Sequence, residues 1–265
     1  AKQYRHRFLS LDALIFTNLA KEHIESHGGM ERYFAAKMRI GQELVRSKKR
    51  PRAIVATADD AYGRRFLKLP VEEQIPFKLE EAHDIRPNGT GVTFTLDDVV
   101  FTLPHPGNFS VMNALAAAKA ARFFGIPLTT SAAALAALVR IPGRAERIDC
   151  GQNFTAIVDY AHTPDSLQAL YEAFPGKKIC VLGNTGGGRD TWKRPLMGHI
   201  ADTACTEVIL TDEDPYDETP ETIVEAMAAG MTRAPRIIMD RREAIHAALA
   251  SAHPGDTVLI SGKGT

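Results

Sequence analysis

The feature that most restricts this chain is a regular series of short apolar runs in its second half, each followed by a helical stretch. Residues Phe154–Tyr160, Lys178–Leu182, Glu207–Thr211, Arg236–Met239 and Thr257–Ser261 read as strands with helical segments between each pair. Strands spaced this way have room for helical crossovers, so a mainly parallel α/β sheet is expected. Pro164, Thr219 and Arg241 mark the helix starts, with the proline or acidic first-turn residues that suit a helix N-terminus. A parallel sheet gathers the loops at its carboxyl ends on one edge, where ligands bind. Those loops hold Asp159-Tyr160-Ala161-His162, Gly183 to Asp190, Asp212 to Tyr216, Asp240-Arg241 and Gly262-Lys263-Gly264. Any parallel sheet collects turn residues there, so convergence alone does not make a site.

The first half is less regular. Leu11–Phe16 reads as a buried strand, Met30–Val45 as a helix with apolar residues at helical spacing, and Arg52–Ala56 as another strand. Lys37 is the odd residue on that helical stripe. An Asp59-Asp60 cap opens a helix to about Leu69, and from Ile75 to Phe101 alternation broken by Asn88-Gly89-Thr90-Gly91 signals antiparallel pairing in the same sheet. Helices are expected at Asn108–Phe124 and Thr130–Val139, and Ile141-Pro142-Gly143-Arg144 is a rigid connector. Two domains are expected, 1–140 and 141–265, a division that 265 residues allow.

Composition removes several function classes. With 32 Lys+Arg against 32 Asp+Glu the chain has no global field for a polyanion, which argues against nucleic-acid binding. The basic run Arg46 to Arg52 is a localisation or phosphate patch in one reading and the solvated end of a helix in the other, which we favour. No apolar stretch approaches the length of a membrane span, and the first residues lack the pattern of a signal peptide. Cys150, Cys180 and Cys205 are odd in number and have no C-x-x-C spacing, which suggests reduced thiols in core or strand positions of a cytosolic protein.

Individually, the motifs leave alternatives open. The loop Gly183-Asn184-Thr185-Gly186-Gly187-Gly188-Arg189-Asp190 could present amides and a guanidinium to a phosphate or carboxylate, or be a plain flexible loop. It does not match G-x-G-x-x-G, and no G-x-x-x-x-G-K-[ST] occurs in the chain. Asp159 could accept ribose hydroxyls and His162 approach phosphate or relay a proton, or both could be structural. His23 and His27 are weak evidence for zinc, since no third ligand of clear spacing follows.

Taken in order, the pieces resemble a known family. Thr17-Asn18-Leu19, Glu22-His23-Ile24, His27-Gly28, Met30-Glu31 and Tyr33-Phe34-Ala35-Ala36-Lys37 resemble the central domain of the Mur ligases, particularly the UDP-N-acetylmuramoyl-tripeptide synthetase branch. Gly143-Arg144 with Glu146, Asp159 through Leu167, Gly187-Gly188-Arg189-Asp190, Lys193 through Gly198, Asp214-Pro215 and Gly262-Lys263-Gly264 resemble its C-terminal domain. The implied fold is α/β: part of the central domain, followed by a Rossmann-like C-terminal domain with a mainly parallel sheet.

The resemblance implies an ATP-dependent amide ligase of peptidoglycan biosynthesis that adds a diamino acid to UDP-N-acetylmuramoyl-L-Ala-D-Glu through an acyl phosphate. It implies ATP and magnesium, with His23 and a carbamylated Lys37 as metal ligands and His23, Lys37 and His162 in the catalytic set. A carbamate would give Lys37 the oxygens that a hard cation needs. Asn113, Arg144 and Asp159 are the implied nucleotide contacts; the family's second adenine-side asparagine is Ser110 here. Arg189 is implied to hold the amino acid's carboxylate, with Asp214, Tyr216 and Gly262 completing the pocket. Where the diaminopimelate branch has Asp-Asn-Pro-Arg this chain has Glu213-Asp214-Pro215-Tyr216, which favours a lysine-like substrate.

The family's N-terminal domain and P-loop are not among these residues, so a fragment inactive on its own is expected. The expected partners are the UDP-N-acetylmuramoyl dipeptide and L-lysine or meso-diaminopimelate, with a monomeric cytoplasmic chain that binds neither nucleic acid nor membrane. The alternatives are another ligase of the superfamily, of folylpolyglutamate or cyanophycin type, and a non-catalytic binding module of the same fold.

Overall fold

A computed structural model describes residues 7–22, 24–89, 91–188 and 190–264, so His23 and Arg189 lie outside the described residues. The chain forms two compact units, Ala1–Val139 and Arg140–Thr265.

In the first unit β1 (Ala13–Phe16), the short helix α1 (Ile24–His27), α2 (Met30–Arg46), β2 (Ala53–Thr57), α3 (Ala61–Phe66) and β3 (Glu73–Phe77) build a parallel sheet of order β1-β2-β3. Strand β2 is central and buried throughout, and the alternation of its side chains separates two layers. Ile54 and Ala56 face a cluster with Phe34 and Leu44 of α2 and Phe66 of α3, where Phe16 stacks on Phe66 at 4.3 Å. Val55 faces the opposite layer, built on α4 (Gly107–Phe123).

Before α4 come β4 (His83–Asn88), β5 (Gly91–Leu96) and β6 (Val99–Leu103), a separate antiparallel sheet of order β4-β5-β6. The expected change to antiparallel pairing therefore occurs one strand later than the sequence suggests, and in a new sheet. Ile75 belongs to β3, which pairs parallel with β2. Helix α4 shares one core with Val55 on one side and Phe94, Phe101 and Leu103 on the other. Its alanines at 114, 116, 118 and 120 are buried, and their small side chains let backbone approach from more than one direction. Helix α5 (Leu128–Ala137) follows and packs on β6.

The basic run after α2 is tied into this unit. Arg46 pairs with Glu43 at 3.1 Å, Lys49 with Asp12 at 2.6 Å and Arg50 with Glu72 at 3.1 Å. Arg52 is buried, donates three times to Glu72 at 2.9 Å, once from its backbone amide, and also donates to the Leu44 and Val45 carbonyls at the end of α2. Arg52 thus caps the end of α2, and Arg46, Lys49 and Arg50 are ion-paired rather than part of a free patch.

The second unit holds β7 (Glu146–Ile148), β8 (Thr155–Val158), α6 (Pro164–Ala173), β9 (Lys178–Leu182), α7 (Lys193–Ala204), β10 (Glu207–Leu210), α8 (Pro220–Ala228), β11 (Arg236–Ile237), α9 (Arg241–Ser251) and β12 (Thr257–Ile260). Sheet order is β11-β10-β9-β12-β8-β7, parallel except for β7 against β8. The sequence reading did not include β7, a strand of three residues. Helices start as their caps require: Thr163 and Ser166 form a capping box before α6, and Asp240 accepts from the Glu243 amide at 2.9 Å before α9.

Ile179, Val181, Ile209, Val258 and Ile260 face Ala244 and Ala248 of α9, while α6, α7 and α8 lie side by side. Placing α9 opposite those helices follows from strand order: the chain moves outward from β9 to β11, then returns to insert β12 between β8 and β9.

The cysteines differ from expectation. Cys180 and Cys205 are disulfide-bonded, with Cα atoms 6.1 Å apart, and only Cys150 is free and exposed. Cys180 and Cys205 are core residues, as read, but not reduced thiols; Cys150 is a free thiol but lies exposed beyond β7, not in a core or strand position. The intervening β9–α7 unit brings residues separated by 25 positions together, which a search for short spacings does not detect. Among the described residues no helix is long and apolar enough to cross a membrane.

Candidate functional site

The residues assigned from sequence divide between the units. In the first unit, Lys37 lies in register with Tyr33, Gly41 and Leu44 on α2 but is exposed, with its ammonium 5.3 Å from the Tyr33 ring centre. The stripe position is as read, and the lysine stem runs to solvent past the aromatic ring. Asn113 is exposed on α4, which packs against the opposite face of the parallel sheet from α2. Ser110 is buried, and its hydroxyl donates to the Pro106 carbonyl at 2.7 Å. His23 lies outside the described residues. Among the described residues no group of three His, Cys, Asp or Glu side chains could hold a metal ion.

In the second unit the parallel sheet brings the remaining residues to one edge. After β8, Asp159 accepts from the Ala145 amide at 2.6 Å and the Ala161 amide at 2.7 Å. Burial pushes its carboxyl above the usual range, and these amides, with Arg144 and His162, pull it back. Arg144 is exposed and lies 4.6 Å from the Tyr160 ring centre, as a cation over an aromatic face. His162 Nδ1 is 2.7 Å from the Tyr160 carbonyl. A carbonyl only accepts, so Nδ1 carries a proton and donates it to Tyr160.

Gly143 has φ +63°, and a Cβ there would lie 2.5 Å from the Gly264 carbonyl. That close approach needs glycine and brings the chain before β7 against the turn after β12. Glu146 fixes the same corner by accepting from the Gly143 amide at 2.7 Å, which holds its carboxyl below the usual range.

The loop after β10 carries Glu213, Asp214 and Tyr216. Asp214 pairs with Lys263 at 2.9 Å, and Tyr216 is 65% exposed with φ +53°. The charge of Asp214 is therefore already matched by a cation of this chain. Glu213 is the acid turned inward: Thr185 donates to Oε1 at 2.9 Å, and Oε2 is buried without a partner. Burial raises its carboxyl, opposed by the Thr185 bond and the charges of Arg241, His162 and Lys193. Gly262 has φ +99°, and a Cβ there would collide with the Glu213 carboxylate. Arg241 donates to the Ser261 carbonyl at 2.9 Å and has a buried Nη1 without a partner.

Sequence reasoning placed Asp214, Tyr216 and Gly262 here but gave no role to Glu213, Lys193 or Arg241. The available signal was position: Glu213 directly precedes Asp214, and Arg241 follows the shortest strand of the parallel set. Lys193 is buried and donates to the His162 carbonyl at 3.0 Å. The edge thus combines carboxylates, cations and backbone amides, a lining suited to a zwitterion with several charged groups.

Residues 1–121 match the Mur ligase middle domain and residues 143–264 match the Mur ligase glutamate ligase domain, in that order. The chain belongs to the Mur ligase family. The UDP-N-acetylmuramoyl-L-alanyl-D-glutamate--2,6-diaminopimelate ligase of Synechococcus elongatus is 40% identical over 96% of this chain and 53% of its own length. That of Bacillus cereus is 36% identical over 96% of this chain and 55% of its own. The chain spans about half the length of these curated Mur ligase relatives.

A solved ligase of the same name shares 30% identity and a TM-score of 0.59, with 99% of this chain and 57% of that one covered. MurF from Acinetobacter baumannii superimposes with TM-score 0.78 at 19% identity, covering 98% of this chain and 58% of that one, and shows the shared fold alone. Mycobacterium tuberculosis folylpolyglutamate synthase, at 0.74 and 19% over 97% of this chain and 62% of that one, does the same. These three solved ligases share the fold of this chain.

Proposed function

We propose that the whole protein containing this chain is an ATP-dependent ligase adding a diamino acid to UDP-N-acetylmuramoyl-L-alanyl-D-glutamate, in the cytoplasm, through an acyl phosphate. The observation that carries this reading is the 36–40% identity, over nearly all of this chain, to relatives named for that addition. The edge of the second unit supports it chemically. A diamino acid brings ammonium and carboxylate groups together, and the edge offers both signs of charge.

We assign Arg189 to the α-carboxylate, and Asp214, Tyr216 and Gly262 to the rest of the pocket. His162, beside Asp159 at the end of β8, is assigned to the reacting groups. ATP is the phosphoryl donor that activates the acceptor carboxylate. Arg144, an exposed cation, fits phosphate oxygens. Asp159 has lone pairs beyond its two amide bonds for hydroxyl donors, and Asn113 is assigned to the base. For magnesium, the described residues assemble no ligand set, and the assignment to His23 and carbamylated Lys37 rests on the motif that contains them.

The diamino acid itself is open to two readings. The relatives are named for 2,6-diaminopimelate, whereas Tyr216 provides no guanidinium for a second carboxylate, which favours a lysine-like substrate. The test uses the full-length gene product with ATP, magnesium, the UDP-N-acetylmuramoyl dipeptide and each diamino acid, with the product read by mass. A product heavier than the dipeptide by one diamino acid residue supports the reading. Its absence with both amino acids, while the enzyme from Bacillus cereus works in parallel, overturns it.

A further inference from the structure

The loop after β9 is held at a point that the assigned substrate contacts do not explain. The Gly188 amide donates to Glu218 Oε1 at 2.6 Å. Glu218, in the loop after β10, also receives a two-point clamp from Arg194 on the first turn of α7: Nη1 to Oε2 at 2.8 Å and Nη2 to Oε1 at 2.9 Å. Arg194 is 3% exposed, so this is a buried guanidinium with its partner and not a surface pair. On the other side of position 189, Asp190 is buried; its carbonyl accepts from the Lys193 amide at 3.1 Å and its carboxylate from Trp192 Nε1 at 3.4 Å. Both sequence neighbours of Arg189 are therefore anchored.

We propose that Arg194 and Glu218 are positioning residues for the amino-acid site. Arg194 holds the Glu218 carboxylate in plane, and Glu218 gives one oxygen to the Gly188 amide, fixing the loop at Gly188, next in sequence to the residue assigned to the substrate carboxylate. This rests on the reading of Arg189 given above. The bond to Gly188 is the part that a purely structural ion pair does not require. Glu218 could neutralise Arg194 without it, but could not then set the loop. The charge-assisted bonds keep the Glu218 carboxyl below the usual range, so the latch stays ionised at neutral pH.

The test compares full-length wild type with Glu218→Gln and Arg194→Lys. Gln keeps the shape but turns an amide group toward the Arg194 donors; Lys keeps the charge but loses the fork. Two readouts are taken: KM for the diamino acid, ATP and the dipeptide, and hydrogen exchange at the Gly188 amide. Glu218→Gln is expected to raise the diamino-acid KM about tenfold to hundredfold and leave the ATP KM within about twofold. Gly188 exchange is expected to accelerate while β9 and β10 keep wild-type protection. Arg194→Lys should move both readouts the same way by less, and it decides the question if Glu218→Gln does not fold.

An unchanged diamino-acid KM, a Gly188 amide exchanging at the wild-type rate, or a parallel rise of all three KM values overturns the proposal. If wild type forms no amide, the functional reading fails instead, and Gly188 exchange alone decides whether the latch exists.

Discussion

The two units distribute their assigned residues in opposite ways. In the second, a parallel sheet delivers the ends of β8, β9, β10, β11 and β12 to one edge, and each assigned residue described there lies on or beside one of those ends. In the first, Lys37 on α2 and Asn113 on α4 belong to helices covering opposite faces of one sheet, and both are exposed. A sheet edge concentrates chemistry by topology alone. Helix faces do not, and residues on them acquire a common purpose only through a ligand or a further part of the protein.

This contrast is broken most severely at Lys37. If Lys37 carries a carbamate that serves the reaction, Lys37→Ala in the full-length protein should lose about a hundredfold or more of the ligation rate. Its melting temperature should be unchanged, because the side chain is exposed and lies beside the Tyr33 ring. Added bicarbonate should not restore the rate, whereas a short carboxylic acid should restore part of it. Near wild-type rates would make Lys37 a surface residue and remove it from the assigned metal ligands.

A smaller effect sharpens the other side. Arg189→Ala should raise the diamino-acid KM by about 30-fold or more with little change for ATP, since losing a bidentate arginine from a carboxylate typically costs about 2–5 kcal/mol. Tyr216→Arg should shift preference about tenfold toward meso-diaminopimelate by restoring a fork for the distal carboxylate. Side-by-side rates with both amino acids check this. No shift would mean that the exposed position 216 does not read the side chain and that the inward Glu213 is the better candidate.

The smallest effect concerns the scaffold of the first unit. Glu72 is drawn down to about 2 by its bonds to Arg52, from an ordinary value of 4.5. Because the folded-state value is the lower one, its stabilising contribution is present above pH 4.5 and is lost as pH falls toward 2. The melting-temperature gap between wild type and Glu72→Gln should therefore be fully open at pH 7 and close across that window. A gap independent of pH would show that Glu72 acts through shape and not charge.

Where local pattern and tertiary structure agree, the sequence was a sufficient guide. The apolar run Lys178–Leu182 is β9 to the residue, because a strand buried on both faces is continuously apolar. Pro164 opens α6 because proline lacks the amide that a first turn leaves unpaired. What was not legible depends on partners distant in the chain. Nothing near Cys180 indicates Cys205, and nothing near Gly188 indicates that Glu218, 30 residues later, would accept its amide. Nor does anything near Asp214 indicate Lys263, the cation that pairs with it, 49 residues further on. Lys37 shows a further limit: helical periodicity gives the face but not whether anything covers it.

The central claim is that the diamino acid binds at the strand-end edge of the second unit. Titrating the nitrogen-15-labelled 265-residue chain with L-lysine and with meso-diaminopimelate, and following every backbone amide by NMR, tests it most directly. Shifts should gather in residues 160–163, 183–190, 212–218, 240–241 and 262–264, with residues 7–139 unmoved. Shifts centred in the first unit, or none at saturating amino acid while the full-length protein forms amide, would contradict it.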